Sequence, residues 1–277
     1  MVIDKRMKIF LNGKIIKKEN LSEIFEPGFL FGWGTFEVLR AYDGNIPFLD
    51  LHTRRLNESL KFLRLDEVKC NFENEIKNLL KINNLKDAYI RLTAYKKREN
   101  TGLIIYVDKF GYYPKEAYKK GFRTIISPYK RNTKSSFYKI KSLSYLENRL
   151  SWYHAQKQNK DEALILNEEN FLVGGSRSNL FLVKDGLVFA PKSCDGVFLG
   201  ITRNIVIELL KDLRIKYKEK RLTKKDLFSC DEAFLTSSLL EVMPLVECED
   251  KKIKKGYVGN ITLKILECYR ERCFKKT

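Results

Sequence analysis

The chain has 277 residues, of which 44% are hydrophobic, and it carries a formal net charge of +18 at pH 7. This length leaves room for one large domain or two small ones. No apolar run approaches the roughly 18 residues of a membrane-spanning helix. The first residues, MVIDKRMKIFLNGK, lack the apolar stretch of a signal peptide. A cytoplasmic location with no membrane partner is therefore expected.

The cysteine and histidine content argues against a disulfide scaffold and against a metal site. The six cysteines are scattered without a CxxC pair, and only two histidines are present. Reduced thiols and no bound metal are expected from such a distribution.

The positive charge by itself could indicate binding to nucleic acid. The basic clusters are short, however, as in Lys96-Lys97-Arg98, and no Gly-aromatic RNA-binding motif accompanies them. We interpret the charge as lysine-rich, solvated surface and expect no nucleic-acid partner.

The first half of the chain mixes helix and strand patterns. Asn12-Gly13, the strongest two-residue turn signal, lies between two apolar segments, so residues 8–17 are predicted to form a hairpin. A leucine-rich stretch at 49–63 has the spacing of an amphipathic helix. The other predicted elements are strands at 35–42, 88–94, 103–107 and 122–127 and a helix at 73–83.

After a polar stretch near 130–136 the pattern changes. We predict an N-terminal α+β domain at 1–127, a linker at 128–136 and a C-terminal domain at 137–277. Thr202 is expected to be the N-cap of a helix at 202–213. Further helices are predicted at 143–156 and 262–273, and strands at 163–166, 179–183, 187–190, 232–235 and 245–247.

Several motifs occur in a fixed order along the chain. They are GFLFGWGTFEVLR at 28–40, HTRRL at 52–56, IKSLSY at 140–145, GGSRSNLF at 174–181, GITR at 200–203 and TSSLLE at 236–241. Together they resemble the class IV (fold type IV) pyridoxal-phosphate aminotransferases, a family that includes branched-chain and D-amino-acid aminotransferases and aminodeoxychorismate lyase. The resemblance covers roughly residues 8–270. It implies an α+β, two-domain fold like that of D-amino-acid aminotransferase, a pyridoxal 5'-phosphate cofactor and a homodimer whose second subunit completes the site.

The resemblance also implies roles for individual residues that hold the cofactor. Lys141 is in the position of the Schiff-base lysine, which also acts as general acid and base, and opens a predicted helix. Lys139 is the competing candidate, but the IKSL context favours Lys141. Tyr145 corresponds to the tyrosine that binds the phenolic oxygen of the cofactor.

The implied phosphate clamp comes from three separate motifs. Arg55 would bind the phosphate through its guanidinium fork. Ile201 and Thr202 would bind it through a backbone amide and a hydroxyl at a helix N-terminus. Ser238 matches a phosphate-binding threonine of the family.

The implied substrate-binding residues are less specific. Phe31 and Phe36 would line the substrate pocket, although Phe36 also fits an ordinary core strand. Arg40 could bind a substrate carboxylate or pair with Glu37. The remaining candidates of this group are Tyr89, Arg91 and Leu239.

One departure from the family pattern concerns chemistry. Gly174 stands where the family keeps the glutamate that faces the pyridine nitrogen, and glycine cannot supply that carboxylate. Losing it predicts slower transamination unless a neighbour such as Glu168, Glu169 or Ser176 replaces it. On this hypothesis Gly174→Glu should raise activity. A second departure is that AYKKR at 94–98 replaces the TRG motif of the family, which leaves substrate choice open.

The sequence therefore predicts an aminotransferase that moves an amino group between an amino acid, of the branched-chain type, and a 2-oxo acid. Two alternatives remain at this point. One is a lyase like aminodeoxychorismate lyase, which would use the same lysine for elimination. The other is a cofactor-binding relic without turnover.

Overall fold

The structure is a computed structural model that describes residues 8–111 and 113–274. It begins with the predicted hairpin, formed by β1 (Lys8–Leu11) and β2 (Lys14–Lys17), in which Leu11 pairs with Lys14. The two turn residues, Asn12 and Gly13, have φ values of 47° and 88°. Two consecutive positive φ values are what a tight hairpin turn needs, and this explains why Asn-Gly is found there.

The first layer of the molecule is a three-stranded antiparallel sheet covered on one face by helices. Its elements are α1 (Pro27–Leu30), β3 (Gly34–Ala41), α2 (Leu49–Phe62), α3 (Phe72–Ile82), β4 (Ala88–Lys96) and β5 (Thr101–Lys109), with strand order β3-β4-β5. Leu39, Ile90 and Leu92 point to the same side and pack against Leu56 and other residues of the two long helices. The opposite face carries Phe36, Arg40 and Arg91.

The second layer is a nine-stranded mixed sheet with its own helices. Its elements are α4 (Lys115–Lys120), β6 (Phe122–Ile126), α5 (Leu146–Lys157), β7 (Glu162–Leu166), β8 (Leu172–Gly175), β9 (Asn179–Lys184), β10 (Leu187–Pro191), α6 (Ile201–Asp212), β11 (Tyr217–Lys220), α7 (Lys224–Ser229), β12 (Glu232–Ser237), β13 (Glu241–Cys248), β14 (Lys251–Lys252) and α8 (Asn260–Phe274). The strand order is β11-β10-β9-β12-β13-β6-β7-β8, and β14 pairs with β13.

This large sheet is curled. Leu172 at one end of the strand order forms a bridge with Leu222, two residues beyond β11 at the other end. The two long helices α6 and α8 cover its core, where Phe181 and Phe234 stack with ring centroids 4.9 Å apart.

Strand β6 is part of the second sheet. β6 (Phe122–Ile126) pairs in parallel with both β13 and β7, so it belongs to the second sheet although the predicted N-terminal domain ended at residue 127. Helix α4 also packs against β13. The backbone hydrogen bonds of β6 are therefore satisfied within the second sheet.

Two local predictions were wrong at the site. Lys141 does not open a helix, since α5 begins only at Leu146 and Lys141 is in an extended segment. Thr202 is not an N-cap, because Gly200 occupies that position and Thr202 is inside α6. Strand β8, which contains Gly174, was not predicted.

Candidate active site

Lys141 is held where the two layers meet. Its carbonyl accepts hydrogen bonds from the amide of Phe36 (2.9 Å) and from the hydroxyl of Thr35 (3.0 Å). The amide of Leu143 donates to the carbonyl of Gly34 (2.9 Å). These bonds make the lysine segment a short extra strand beside β3. A few residues later the chain enters α5, which packs on the second sheet.

The amino group of Lys141 is surrounded by three aromatic rings. Its Nζ is 4.9 Å from the ring centre of Phe36, 5.3 Å from that of Phe198 and 5.5 Å from that of Tyr145. Burial lowers the pKa of Lys141 to about 8, and the charges of Arg55 and Arg91 act in the same direction, although Glu37 opposes them. A lysine with such a pKa is partly neutral at physiological pH, as a nucleophile must be. Lys139 is exposed, with Nζ 6.0 Å from the ring of Tyr138.

Tyr145 is the residue immediately before α5, and its ring packs edge-on against Phe36 with centroids 5.2 Å apart. Its hydroxyl donates to the carbonyl of Ser176 at 3.2 Å. Burial, with a smaller effect from the charge of Glu162, raises the pKa of Tyr145 to about 12. The phenol therefore keeps its proton at neutral pH and can act as a hydrogen-bond donor.

Arg55 belongs to a buried unit with Glu37 and His52. Its Nε and Nη2 donate to the two carboxylate oxygens of Glu37, at 2.7 and 2.6 Å, and Nη1 donates to the carbonyl of Leu199 at 3.3 Å. Its guanidinium also faces the ring of Phe198 at 4.9 Å. A guanidinium has five N–H groups. Three are used here, so two remain for a ligand beside the N-terminus of α6.

Glu37 is the acid of this unit. Burial by itself would raise the pKa of Glu37, but the charge of Arg55 and the hydrogen bonds from His52 and Arg55 outweigh burial and lower it to about 2. The Glu37 side chain is fully buried, and His52 Nδ1 lies 2.7 Å from its Oε2. Glu37 is thus a permanent carboxylate.

The N-terminus of α6 provides unused backbone donors next to Arg55. Gly200 is its N-cap and makes no side-chain cap, so the first amides, including those of Ile201 and Thr202, have no acceptor within the helix. Asn179 fixes the approach to the helix by donating to the carbonyl of Phe198 at 2.6 Å. Ser238 lies on the same side, and it lines one small cavity with His52, Ile201 and Thr202.

The structure brings together some of the predicted substrate residues and separates others. The ring of Phe36 contacts the Arg91 guanidinium at 3.8 Å, next to Lys141. Tyr89 is two residues before Arg91 on the same face of β4, and its ring packs against that of Tyr106. Phe31 is 74% exposed beyond α1, and Leu239 is half-buried in the turn after β12.

Arg40 is buried, and its Nη1 donates to Glu241 at 3.0 Å, while Glu37 lies on the other face of β3. Arg270 of α8 binds the other oxygen of Glu241. These contacts tie β3 to β13 and α8, so Arg40 is a structural ion pair between the two layers in this structure.

Gly174 lies in β8 with φ +145°, a conformation that residues with a side chain rarely adopt. A Cβ atom built there would be 2.9 Å from the carbonyl oxygen of Ser178. The backbone at this position therefore suits glycine, and a carboxylate cannot be added without some movement of β8 or of the turn that follows it.

The three possible substitutes for the missing glutamate are bound to other residues of the chain. Glu168 binds the backbone of Thr133, and Glu169 pairs with Arg221 at the surface. The hydroxyl of Ser176 donates a hydrogen bond to the carboxylate of Glu162.

Glu162 is an acid that sequence reasoning missed. It is fully buried on β7 and lies against Gly175, where an added Cβ would be 3.1 Å from its Cγ. Phe198 was missed as well. An acidic residue at the start of a fully apolar strand was the available signal for Glu162, and no local pattern marks Phe198.

The comparisons with known proteins agree with this geometry. Residues 34–248 match the family model described as amino-transferase class IV. A putative branched-chain-amino-acid aminotransferase of Methanocaldococcus jannaschii is 34% identical over 96% of both chains. The aminodeoxychorismate lyase of Bacillus subtilis is 29% identical over 87% of both chains.

Solved structures give the same result. The branched-chain aminotransferase of the thermophilic archaeon Thermoproteus uzoniensis with norvaline has a TM-score of 0.82 and 30% identity, covering 98% of this chain and 96% of the other. A second branched-chain amino acid aminotransferase, solved with pyridoxamine 5'-phosphate, has a TM-score of 0.84 and 30% identity, covering 96% of this chain and 94% of the other.

The chain belongs to the class IV aminotransferases. The predicted family, the α+β fold class and the aminotransferase activity are thereby confirmed. Enzymes of this class use pyridoxal 5'-phosphate, which confirms the predicted cofactor at the level of the family. Among the residues that the structure describes, no helix is long and apolar enough to cross a membrane.

Proposed function

We propose that this aminotransferase transfers the amino group of a branched-chain amino acid to a 2-oxo acid, with Lys141 as the residue that binds the cofactor and moves the proton. The observation that carries the role of Lys141 is the position of its amino group, which lies among the rings of Phe36, Tyr145 and Phe198 and has a pKa lowered to about 8. The branched-chain preference is supported by the M. jannaschii relative and by the apolar rings around that amino group.

The residues around Lys141 fit pyridoxal 5'-phosphate. The first amides of α6 and the guanidinium of Arg55, which reaches the carbonyl of Leu199 just before this helix, are the donors that would hold a phosphate group. Ser238 adds a hydroxyl there. Tyr145 can donate its single O–H to the phenolic oxygen of the ring if the hydroxyl turns away from the carbonyl of Ser176. When bound, the cofactor supplies a carbonyl group for the amino group and a ring that accepts electron density.

Each residue has a separate task in this arrangement. Lys141 in its neutral form would accept the proton from the substrate Cα and hold it for the return step. Phe36 and Phe198 exclude water from its amino group, which keeps the pKa low. Arg91, beside Phe36, provides a positive charge on the substrate side, where the α-carboxylate of an amino acid would be bound.

We further propose that the enzyme works as a cytoplasmic homodimer. The face of the first sheet that carries Arg91 is only partly covered, because Ile104 is 37% and Tyr106 is 47% exposed on the outer strand β5. Phe31, three residues before β3, is also exposed. A second subunit placed over this face would cover these side chains and enclose the substrate. Sedimentation analysis of the purified protein tests the dimer.

The role of Lys141 is tested by two lysine variants. The parent protein should show the visible absorption band of bound cofactor and should retain cofactor covalently after borohydride treatment. Lys141→Ala should lose both properties, whereas Lys139→Ala should behave like the parent because Lys139 is exposed and outside the ring of aromatic residues. A Lys141→Ala variant that still retains cofactor after borohydride would overturn the assignment.

A lyase is the second candidate, and the similarity to the B. subtilis enzyme favours keeping it. Product analysis separates the two functions, since a transaminase produces a new amino acid from an added 2-oxo acid and a lyase releases pyruvate from aminodeoxychorismate. A protein that binds the cofactor but converts neither the amino acid nor aminodeoxychorismate would be a cofactor-binding relic without turnover.

A further inference from the structure

His52 connects the acid Glu37 to the hydroxyl of Ser238. Its Nδ1 lies 2.7 Å from Glu37 Oε2, and its Nε2 lies 3.4 Å from Ser238 Oγ. The histidine is only 2% exposed. The three side chains form a buried chain that ends in the cavity lined by Ile201 and Thr202 at the N-terminus of α6.

The protons along this chain can be assigned from chemistry. Glu37 is a carboxylate and can only accept, so Nδ1 of His52 must carry a proton. Nε2 then either lacks a proton and accepts from Ser238, or carries one and donates to Ser238. Burial lowers the pKa of His52, and the charges of Arg55 and Lys141 act in the same direction, against the opposing effect of Glu37. Without a ligand the imidazole is therefore neutral, and Ser238 donates to Nε2.

A phosphate group changes this balance. A serine hydroxyl has one proton, and the oxygens of a phosphate dianion can only accept hydrogen bonds. When Ser238 donates its proton to the phosphate, the hydroxyl oxygen no longer donates to His52 Nε2. The unprotonated Nε2 is then left without a donor inside a buried site. An unsatisfied buried acceptor costs about 1–3 kcal/mol, and a proton added at Nε2 removes that cost. The negative charge of the phosphate favours the same proton.

We propose that binding of the phosphate group of the cofactor is coupled to uptake of one proton by His52, which becomes an imidazolium between Glu37 and Ser238. The inference rests on the phosphate clamp proposed above. The step is balanced: neutral His52, a phosphate dianion and a proton from solvent give the bound dianion and a cationic His52. No covalent bond is formed or broken. His52 is a positioning residue, since it acts on the phosphate through Ser238.

Among the other ionisable groups around His52, Lys141 can also take up a proton near pH 8, because its pKa is lowered to about 8. Arg55 on the same helix as His52 adds positive charge. Arg40, Tyr42 and Tyr269 line the same cavity from β3, the residue after it, and α8. Burial raises the pKa of both tyrosines far above neutrality, so they stay protonated.

The test uses the full-length protein freed of cofactor and pyridoxine 5'-phosphate as the probe. This compound has the phosphate but no aldehyde, so it cannot condense with Lys141 and adds no proton change from that reaction. Titration calorimetry at pH 8, in buffers of different ionisation enthalpy, counts the protons bound. At this pH the probe is a dianion, since the second pKa of a phosphate monoester is about 6.

The expected result is that the parent takes up about one proton more per bound probe than the variant His52→Gln. Pyridoxine without phosphate should show no such uptake, which separates the phosphate from the ring nitrogen. His52→Gln places an amide donor near Nε2 that never titrates, so this variant should bind the probe with about one proton less than the parent, and any uptake that remains belongs to Lys141. Equal uptake by this variant and the parent would overturn the inference. His154→Gln is the matched control, since His154 is the other histidine of the chain. The hydrogen bond described for it is with Gln158 on the exposed surface of α5. Proton uptake by this variant should equal that of the parent.

Nitrogen NMR of the parent gives a direct answer even if His52→Gln does not fold. With two histidines in the chain, the spectrum contains two imidazoles, and His154→Gln identifies that of His52. Its Nε2 signal should change from an unprotonated to a protonated nitrogen when the probe binds. A probe that binds while Nε2 stays unprotonated overturns the inference and leaves the clamp intact. A probe that does not bind refutes the phosphate clamp and the inference with it.

Discussion

The substitution Gly174→Glu would separate two effects that the structure places at one residue. The first is backbone strain, because Gly174 has φ +145° and an added Cβ would be 2.9 Å from the carbonyl oxygen of Ser178. A side chain held in such a conformation costs about 1–3 kcal/mol. We therefore expect any residue with a Cβ at this position to lower the free energy of unfolding by that amount.

The second effect is chemical. A carboxylate next to the pyridine nitrogen of the cofactor would raise the pKa of that nitrogen by about one to three units, which favours the protonated ring. Each unit corresponds to about 1.4 kcal/mol. If this energy is expressed in the transition state, turnover increases by about tenfold to a thousandfold. The strain acts on the stability of the fold, so the two effects can be measured separately.

Gly174→Gln is the control, since it has the same Cβ and nearly the same volume without the charge. Denaturant unfolding of both variants measures the strain. Steady-state transamination from a branched-chain amino acid to 2-oxoglutarate measures the chemistry, and the turnover number of the Glu variant should exceed that of the Gln variant.

Equal turnover of the two variants, or a parent that is fast while both variants are slow, would refute this account of Gly174. Glu162 would then be the acid to examine, because it is buried on the neighbouring strand and its carboxylate lies against Gly175.

Two other predictions concern Arg55 and Lys141. Arg55→Ala should weaken cofactor retention by about 1.5–3 kcal/mol, the value of a hydrogen bond to a charged group, and equilibrium dialysis measures it; an unchanged dissociation constant would contradict the clamp. Because the pKa of Lys141 is lowered to about 8, its neutral fraction increases with pH, so the rate of cofactor attachment should increase with pH and level off above pH 8. Arg91→Gln removes a charge that lowers the pKa of Lys141, so the midpoint of the rate–pH profile should move to higher pH. Stopped-flow absorbance measures this profile, and a midpoint that does not move would count against the assignment.

The sequence predicted most helices and strands because their patterns are local. The leucine spacing of α2 and the Asn-Gly turn between β1 and β2 depend on residues a few positions apart. The conformation of Lys141 depends instead on β3, which is more than a hundred residues earlier in the chain. A helix predicted from the pattern after Lys141 therefore began too early, since hydrogen bonds to Thr35 and Phe36 keep the lysine segment extended.

The environment of side chains was harder to predict than the presence of motifs. Arg40 follows the expected motif, but its partner Glu241 is 201 residues away, and no local pattern links the two. Gly174 could be recognised as a departure from the family, whereas its positive φ could not, because φ depends on how β8 joins the turn at Ser178. The motif containing His52 was recognised through Arg55, while the contacts of His52 with Glu37 and Ser238 appear only in the folded chain.

The charges around the phosphate clamp explain why a proton on His52 would matter. Arg55 is the guanidinium expected to bind the phosphate, yet both of its bonds to Glu37 are short and the two charges cancel within the pair. The pKa of Glu37 is about 2, so this cancellation persists at every pH at which the enzyme would work. A helix N-terminus contributes roughly half of a positive charge, which does not balance a phosphate dianion. A nearby group that takes up a proton would supply part of the positive charge still required, and His52, held by the same Glu37, is within hydrogen-bond distance of the hydroxyl expected to bind the phosphate.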